Sequence, residues 1–349
     1  MQHTCKMKED VEEQGMDNDD DLFEHHRVVA DKGQGLMRID KFLCDRLEKT
    51  SRTRIQDACN NEFVRVNGNV AKSSYKIKPL DVVTIELPYP VRELELIPEN
   101  IPIEILYEDD ELIILNKAAN MVVHPGHGNY TGTLVNALIY HFQHLPVRSD
   151  THPGLVHRLD KNTTGVMVIA KTEKALAHLS KQFFDRTIER RYVALVWGDM
   201  AEDGTVEANT GRSLRDRKIF MAYPGGEHGK HAVTHYKVLE RLGYVTLVEC
   251  KLETGRTHQI RVHMKHIGHT LFGDFEYGGD QILKGTTFAK YRQFVQNCLA
   301  LLPRQALHAR SLGFHHPATG QWMQFENALP DDMSAVLERW RSYSQTNQG

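Results

Sequence analysis

Three short segments carry the residues whose types and spacing could do chemistry. The first, GLVHRLDKNTTGVMVIAKT (residues 154–172), delivers Arg158 and Asp160 from an apolar lead-in and returns through Thr163-Thr164-Gly165 to a second apolar run. A carboxylate on a loop between two buried strands is where a rigid sheet would hold a catalytic group. An Asp that only caps a turn has the same local look. In the second, LETGRTHQIRVHM (252–264), Thr254-Gly255-Arg256 makes a turn and Thr257 can cap a helix. Ile260, Met264 and Ile267 occupy the buried face of that helix, so Gln259, Arg261 and His263 cannot all share it. Arg261 is spaced to point at a neighbouring loop. A guanidinium there grips a carboxylate or a phosphate with two prongs; otherwise it belongs to a solvated helix face. The third, ERRYVALVWG (189–198), puts Tyr192 after two arginines at the head of a strand. An aromatic ring beside positive charge suits a base stacked above its own phosphate, or is an ordinary strand aromatic.

Other chemistries find no support in the spacing. VVHPGHGNYTG has Gly126-x-Gly128-x-x-x-Gly132 rather than a dinucleotide-binding pattern, and no phosphate-cradling G-x-x-x-x-G-K-[ST] occurs. His263, His266 and His269 recur every third residue without an H-E-x-x-H frame, so no metal is expected. Five cysteines (Cys5, Cys44, Cys59, Cys250, Cys298) are scattered with no C-x-x-C, which argues for a reducing compartment, hence the cytoplasm. The opening MQHTCKMKEDVEEQ has no apolar block, so no secretory signal is expected. Apolar runs stay far short of the ~18 residues of a membrane span.

These segments need a scaffold, and the composition supplies one. With 349 residues, 40% of them hydrophobic, the chain has room for two domains and a tail. The formal net charge is −3, but residues 1–30 hold nine acids against three bases, leaving the remainder mildly basic. Residues 1–35 therefore read as an acidic, disordered tail. Basic clusters at Arg52/Arg54, Arg190/Arg191 and Arg212/Arg215/Arg217/Lys218 either hold phosphates or are solvated faces.

A small unit is expected over residues 36–88. Ile39, Phe42, Leu43 and Leu47 recur at helical spacing, and a second helix starts after Ser51 and buries Ile55, Ala58 and Cys59. The strand Phe63–Val66 then enters an Asn67-Gly68 hairpin turn. Arg52 and Arg54 at the start of the second helix make a phosphate-binding surface. Residues 89–102, with four prolines between Pro88 and Pro102, read as a linker. The larger unit, 103–330, has an opening hairpin and strands at 166–170, 192–196, 233–239, 245–252, 306–314 and 322–325. Its helices fall at 134–142, 173–186 and 258–267. Strands that follow one another directly favour an α+β fold with a mixed, largely antiparallel sheet. Residues 331–349 form a closing helix and tail.

The stretch TSRTRIQDACNNEFVRVNG resembles the S4-type RNA-binding domain, with Asn61-Glu62 where that pattern often has a glycine. The three chemistry-bearing segments, in this order, resemble the RluA/RluD family of ribosomal RNA pseudouridine synthases. VVHPGHGNYTGTLVNAL is most similar to the subgroup acting on helix 69 of the large-subunit rRNA. The resemblance implies Asp160 as the catalytic carboxylate, Arg158 as the residue that displaces the target base, Tyr192 as the wall stacked on the uracil and Arg261 as the salt-bridge partner of Asp160. It implies ribosomal RNA as the substrate and no cofactor, in a chain expected to be monomeric. Arg212, Arg215, Arg217 and Lys218 would grip an RNA stem. Whether Asp160 attacks the ribose C1′ or removes a ribose proton stays open, as does a non-catalytic RNA-binding or ribosome-assembly role resting on the S4-like unit alone. A nucleotide-cofactor enzyme is argued against by the glycine spacing.

Overall fold

The computed structural model describes residues 23–47, 50–87, 96–126, 129–142, 154–216 and 219–346. The chain divides into two compact units, Met1–Glu93 and Leu94–Gly349. The smaller opens with β1 (Phe23–Val29), β2 (Met37–Arg38), α1 (Ile39–Cys44) and α2 (Arg52–Asn60). It continues with β3 (Val64–Val66), β4 (Asn69–Val70), β5 (Lys76–Ile77) and β6 (Val82–Leu87). Its four-stranded sheet runs β1-β6-β3-β4, while β2 pairs with β5. Ile39, Phe42, Leu43, Ile55 and Cys59 pack with Val64, Val66, Val83 and Ile85 in one core, as the helical spacing predicts.

Two local features follow from backbone sterics. Asn67 and Gly68 have φ of +50° and +82°, the paired positive values a two-residue hairpin turn requires. α2 ends in a Schellman motif: the Phe63 N–H donates to the Ala58 carbonyl and the Glu62 N–H to the Cys59 carbonyl. That motif puts Glu62 at φ +62°, where glycine is at ease and a side chain is strained.

β1 corrects the expected tail. Phe23–Val29 pairs antiparallel with β6, so structure begins inside the stretch read as disordered. The acidic composition of residues 1–30 masked a short strand whose partner lies more than fifty residues away.

The larger unit contains β7 (Glu104–Glu108), β8 (Leu112–Lys117), α3 (Leu134–His141), β9 (Thr164–Ala170), α4 (Glu173–Asp185) and β10 (Glu189–Trp197). Then come β11 (Gly204–Glu207), β12 (Asn209–Arg212), β13 (Phe220–Tyr223), β14 (Val233–Arg241), β15 (Val245–Leu252) and α5 (Gln259–His266). α6 (Ala289–Leu301), β16 (Leu307–His315), β17 (Trp322–Glu326) and α7 (Asp331–Thr346) complete it. The main sheet runs β11-β14-β15-β10-β16-β9-β8-β7, with β17 also on β16; β12 and β13 form a separate hairpin. β16 and β9 are parallel, and the other neighbours on this path are antiparallel. This is the mixed, largely antiparallel α+β architecture the sequence predicts.

Alternation along the strands feeds cores on both faces. Tyr192, Ala194 and Val196 join Met167 and Ile169 on one face. Val193, Leu195 and Trp197 join Trp340 and Phe272 under α6 and α7 on the other. Burial on both faces is why β9 reads as an unbroken apolar run. Gly165 marks the parallel crossing: its φ is +121°, and a Cβ there would lie 2.2 Å from the Ala309 carbonyl oxygen.

Two expected boundaries shift. Residues 88–95 of the linker region lie outside the described residues, but Leu96 and Ile103 pack on the larger core, and the Ile97 carbonyl accepts from Asn136 Nδ2. α7 is not an appendage, because Met333, Val336, Leu337 and Trp340 are buried in the same unit. α6 was not anticipated; its buried stripe is only Tyr291, Val295 and Cys298. Among the described residues no helix is long and apolar enough to cross a membrane.

Replacing Glu62 with glycine removes the left-handed strain without touching a packed side chain. The Glu62→Gly variant is expected to gain about 0.5–1 kcal/mol in the smaller unit. Slower amide hydrogen exchange in β3 and β6 would register the gain; unchanged or faster exchange would refute it.

Candidate active site

The segment that delivers Asp160 is laid along β9 before it leaves the sheet. The Ala170 N–H donates to the Gly154 carbonyl at 2.9 Å, and the Val168 N–H donates to His157 Nε2 at 3.1 Å. Burial pushes His157 down to about 3, helped by the Arg190 charge, so its imidazole is neutral and free to accept. The His157 ring also stacks on Phe183, 4.8 Å between centroids. Leu159 is buried in the core while Arg158 is exposed, and Asp160 sits between these extremes.

Two buried cations hold the loop that follows. Lys117, at the end of β8, donates to the carbonyls of Ala118, Met121 and Lys161 at 2.7, 2.9 and 3.0 Å. Burial pulls its ammonium down to about 7, with Asp160 pulling the other way. Three carbonyl acceptors use all three ammonium protons, so the charged form is the one that completes the loop. Arg304 donates to the Asn162 carbonyl at 3.0 Å and is itself gripped by Asp332 of α7 at 2.7 and 2.8 Å. The Thr163 N–H closes the turn on the Asp160 carbonyl. The turn-capping and site-bearing readings of Asp160 thus coexist: its backbone makes the turn and its side chain stays available.

Arg261 approaches from α5. Its Nε and Nη2 donate to the two carboxylate oxygens of Asp274, both at 2.7 Å, in a bidentate pair. Nη2 also meets Glu276. Nη1 lies 3.4 Å from Asp160 Oδ2. The Tyr277 ring lies 4.8 Å from the guanidinium. The reading that Gln259, Arg261 and His263 cannot all be buried is corrected: Gln259, Ile260, Arg261, Val262, His263 and Met264 are all buried, and exposure begins at Lys265. The polar ones are satisfied. Gln259 donates to the Val233 carbonyl and Thr234, and His263 Nδ1 pairs with Thr234 Oγ1 at 2.9 Å. Thr257 is not the helix cap. That position falls to His258, which has φ +55° and makes no side-chain cap; Gln259 Oε1 instead accepts from the Arg256 N–H.

His258 stands beside the pair, with Nε2 3.9 Å from Asp160 Oδ2 and Nδ1 2.9 Å from the Tyr277 hydroxyl. Burial lowers its pKa, and Asp160 opposes that shift. Tyr192 reaches the same place from β10. It is buried, and burial raises its pKa, with Arg190 opposing and Asp160 adding, so the hydroxyl is protonated at neutral pH.

Asp160 stands where two clefts meet. One, of about 450 Å³, is lined by Arg158, Asp160, Tyr192 and Arg261 together with the end of α4 and the Thr254–Arg256 turn. The other, of about 680 Å³, is bounded by residues 122–126 and by Arg158, Lys161 and His258. The structure therefore brings together Arg158, Asp160, Tyr192 and Arg261. Asp274, Glu276, His258, Lys117 and Arg304 were missed; Asp274 carries a weak signal, an acid inside the glycine-flanked FGDFEYGG.

The other expected RNA contacts are more scattered. Arg212 ends β12, with its guanidinium 5.1 Å from the Phe220 ring, and Phe220 in turn lies 5.6 Å from His258. Arg215 is exposed on the loop between β12 and β13, while Arg217 and Lys218 lie outside the described residues. In the smaller unit Arg52 is half exposed and ion-paired at 3.1 Å to buried Asp40, which also accepts from Arg38 and Gln56. The side chain of Arg54 lies outside the described residues. The Arg190/Arg191 cluster is split by the strand: Arg191 pairs with Glu249, whereas Arg190 faces the first cleft. Among the described residues no group of three His, Cys, Asp or Glu side chains is arranged to hold a metal ion.

Removing Asp274 would leave a guanidinium buried with its best partner gone. Asp274→Ala is expected to destabilise the larger unit by about 3–5 kcal/mol. Urea denaturation followed by tryptophan fluorescence reads this directly. A loss under 1 kcal/mol would mean that Glu276 and Asp160 suffice to hold Arg261.

Known proteins resemble this chain over most of its length. The RNA pseudouridylate synthase family matches residues 111–266 and the S4 domain matches residues 37–83. An uncharacterized RNA pseudouridine synthase of Chlorobaculum parvum is 46% identical over 91% of this chain and 98% of its own length. The ribosomal large subunit pseudouridine synthase D of Zymomonas mobilis is 42% identical over 86% of this chain and 93% of its own. Among solved structures, human RNA pseudouridylate synthase domain containing 4 superposes with a TM-score of 0.50 at 27% identity. It covers 68% of this chain and 93% of that one. The chain belongs to the RNA pseudouridylate synthase family: it is an isomerase acting on RNA uridines, with an S4 domain ahead of its catalytic unit.

Proposed function

We propose that this chain converts uridines of large-subunit ribosomal RNA to pseudouridine, with helix 69 as the target and Asp160 as the catalytic carboxylate. The observation that carries the reading is the Asp160 side chain at the meeting of two clefts, 3.4 Å from a guanidinium whose other prongs are fixed by Asp274. The name of the Zymomonas mobilis relative supports the substrate class. The segment VVHPGHGNYTGTLVNAL supports helix 69 through its resemblance.

The reaction breaks the C–N glycosidic bond, turns the uracil and rejoins it through carbon. Nothing is oxidised or hydrolysed, so no cofactor or metal is required. A carboxylate beside C1′ meets the positive charge that develops there, as in glycoside cleavage. Asp160 acts either on C1′ directly or on a ribose proton, and both routes begin from this position. Arg158, exposed at the rim of both clefts, fills the space the target base vacates. That offsets an extrusion cost of roughly a few kcal/mol. Tyr192 is the wall against which the freed uracil turns. Its protonated hydroxyl relays the C5 proton, taking that proton as it hands its own to a water that carries it to solvent. Arg212, Arg215, Arg217 and Lys218 grip the stem, and the S4 unit of residues 36–88 adds phosphate contacts through Arg52 and Arg54. The chain works as a monomer in the cytoplasm.

Asp160→Asn keeps the size and removes the charge. It is expected to slow product formation by about three orders of magnitude or more, with RNA affinity nearly unchanged because phosphate contacts dominate binding. Release of tritium from RNA labelled at uridine C5 measures turnover; appreciable release by Asp160→Asn would remove the carboxylate from the chemistry.

The same assay separates the two roles of Tyr192. Tyr192→Leu loses the ring and is expected to be inactive. Tyr192→Phe keeps the wall and is expected to stall before the C5 proton leaves. Near-normal release by the Phe variant would take the hydroxyl out of the mechanism, and near-normal release by the Leu variant would take Tyr192 out of the site.

A further inference from the structure

The cleft that holds Asp160 and Tyr192 extends to the C-terminal end of α4, and no step above uses that arm. Its residues combine positive charge, a left-handed backbone and an exposed aromatic ring. Four arginines of the unit are matched by carboxylates: Arg191 with Glu249, Arg241 with Asp199, Arg304 with Asp332 and Arg341 with Glu240. Arg186 and Arg190, which line this arm, have no ion-pair partner among the described residues, and neither does Arg158 where the arm joins the catalytic loop. Glu253 also lines the cleft, but it is engaged by His235 at 2.6 Å. Arg186 and Arg190 therefore lie beyond ion-pair distance of any described carboxylate, Glu253 included.

Arg186 is also held in a strained backbone. It terminates α4 in the left-handed region, with φ +60° and ψ +31°, where glycine would sit without penalty. The conformation closes the helix as at the end of α2, with the Thr187 N–H on the Gln182 carbonyl, and it sets an arginine rather than a glycine at the cleft. Two residues earlier, Phe184 is 85% exposed, which burial cannot account for. Arg190 is seated rather than loose: its guanidinium lies 5.6 Å from the Phe183 ring centroid, and its Nε is buried with no hydrogen-bond partner. It fills space left by a glycine, since a Cβ on Gly255 would lie 2.7 Å from Arg190 Nη1.

We propose that this arm is a subsite for a nucleotide neighbouring the target uridine, with its base on Phe184 and its phosphate held by Arg186 and Arg190. The inference rests on the reading of Asp160 as the catalytic carboxylate, because that reading puts the target in the same cleft. A flat, exposed aromatic beside unpaired guanidiniums matches an unstacked nucleotide, which offers a π-face and an anion together. Stacking on one ring tolerates any base, so this subsite requires a nucleotide there without selecting its identity.

The test uses the full chain and a stem-loop RNA with tritium at the C5 of the target uridine. A companion set of RNAs carries one abasic residue at each position flanking the target. Phe184→Ala is expected to raise KM by about 5- to 150-fold, the range for losing one base–aromatic stack, with kcat changed far less. On one RNA of the abasic set, wild type should show a comparable loss and Phe184→Ala should add nothing further. Arg186→Gly relieves the left-handed strain, so it should raise the melting temperature while raising KM and flattening the dependence of KM on salt. A merely structural arginine would not give that opposed pair. Unchanged KM in both variants, or losses that multiply on every abasic RNA, would overturn the subsite while leaving the catalytic reading intact. No tritium release by the wild-type chain from any RNA of the set would overturn the catalytic reading and the subsite with it.

Discussion

The burial of Arg261 is the constraint on which the candidate active site depends. A guanidinium taken out of water is tolerated only where carboxylates meet it in good geometry. Here Asp274 takes the Nε and Nη2 edge in a two-pronged grip, which fixes the plane of the group and leaves Nη1 directed at Asp160. The planar fork transmits position in a way a lysine could not, because an ammonium on a flexible stem has no second edge. The first six residues of α5 must then be buried, and the hairpin bearing Phe220 and the edge of β14 pack against them. The site is thus an arginine held by the fold, with the catalytic candidate placed against its remaining prong.

The loop bearing Asp160 meets this arrangement from the other side, held by different means. Lys117 and Arg304 take the carbonyls of Lys161 and Asn162, so the backbone next to the carboxylate is pinned by two cations from separate strands of chain. Arg304 depends on Asp332, which ties the last helix to a loop 170 residues earlier in sequence. Gly165 completes the frame by letting β9 and β16 approach within a distance no side chain would allow. Preorganisation of this kind matters for a reaction in which a base is released and recaptured, because groups that shift between the two bond-making events would lose their geometry.

Much of this was legible where chemistry and local structure coincide. Asp160, Tyr192 and Arg261 each sit in a short segment whose flanking apolar residues announce a strand or helix, and the largely antiparallel sheet follows from strands succeeding one another directly. What escaped the sequence depends on distance or enclosure. Asp274 acts on a residue thirteen positions earlier across a turn, and Lys117 looks like the polar end of an apolar strand. The helical-wheel reading of α5 fails because it assumes one wet face along the whole helix, and tertiary packing buries residues 259–264 on all faces. β1 was hidden because its strand signal is two valines in an acidic stretch, with the ladder supplied by β6. Arg190 and Arg191 look alike as a charged pair, but strand alternation sends one to the cleft and the other to Glu249.

The same alternation explains why the proposed stacking wall is a buried tyrosine on a strand rather than an aromatic on a loop. Tyr192 shares its face of β10 with Ala194 and Val196, packed against Met167 and Ile169 of β9. Its ring is therefore positioned by the core and not by the substrate. Burial that fixes the ring also raises the pKa of the hydroxyl, so in the proposed mechanism the ring carries no charge to compete with Asp160 for the positive centre at C1′. Rigidity and neutrality come from one cause, the depth of the residue in the sheet. An exposed aromatic such as Phe184 has neither constraint, which suits contact with a part of the RNA that binds and leaves without undergoing chemistry.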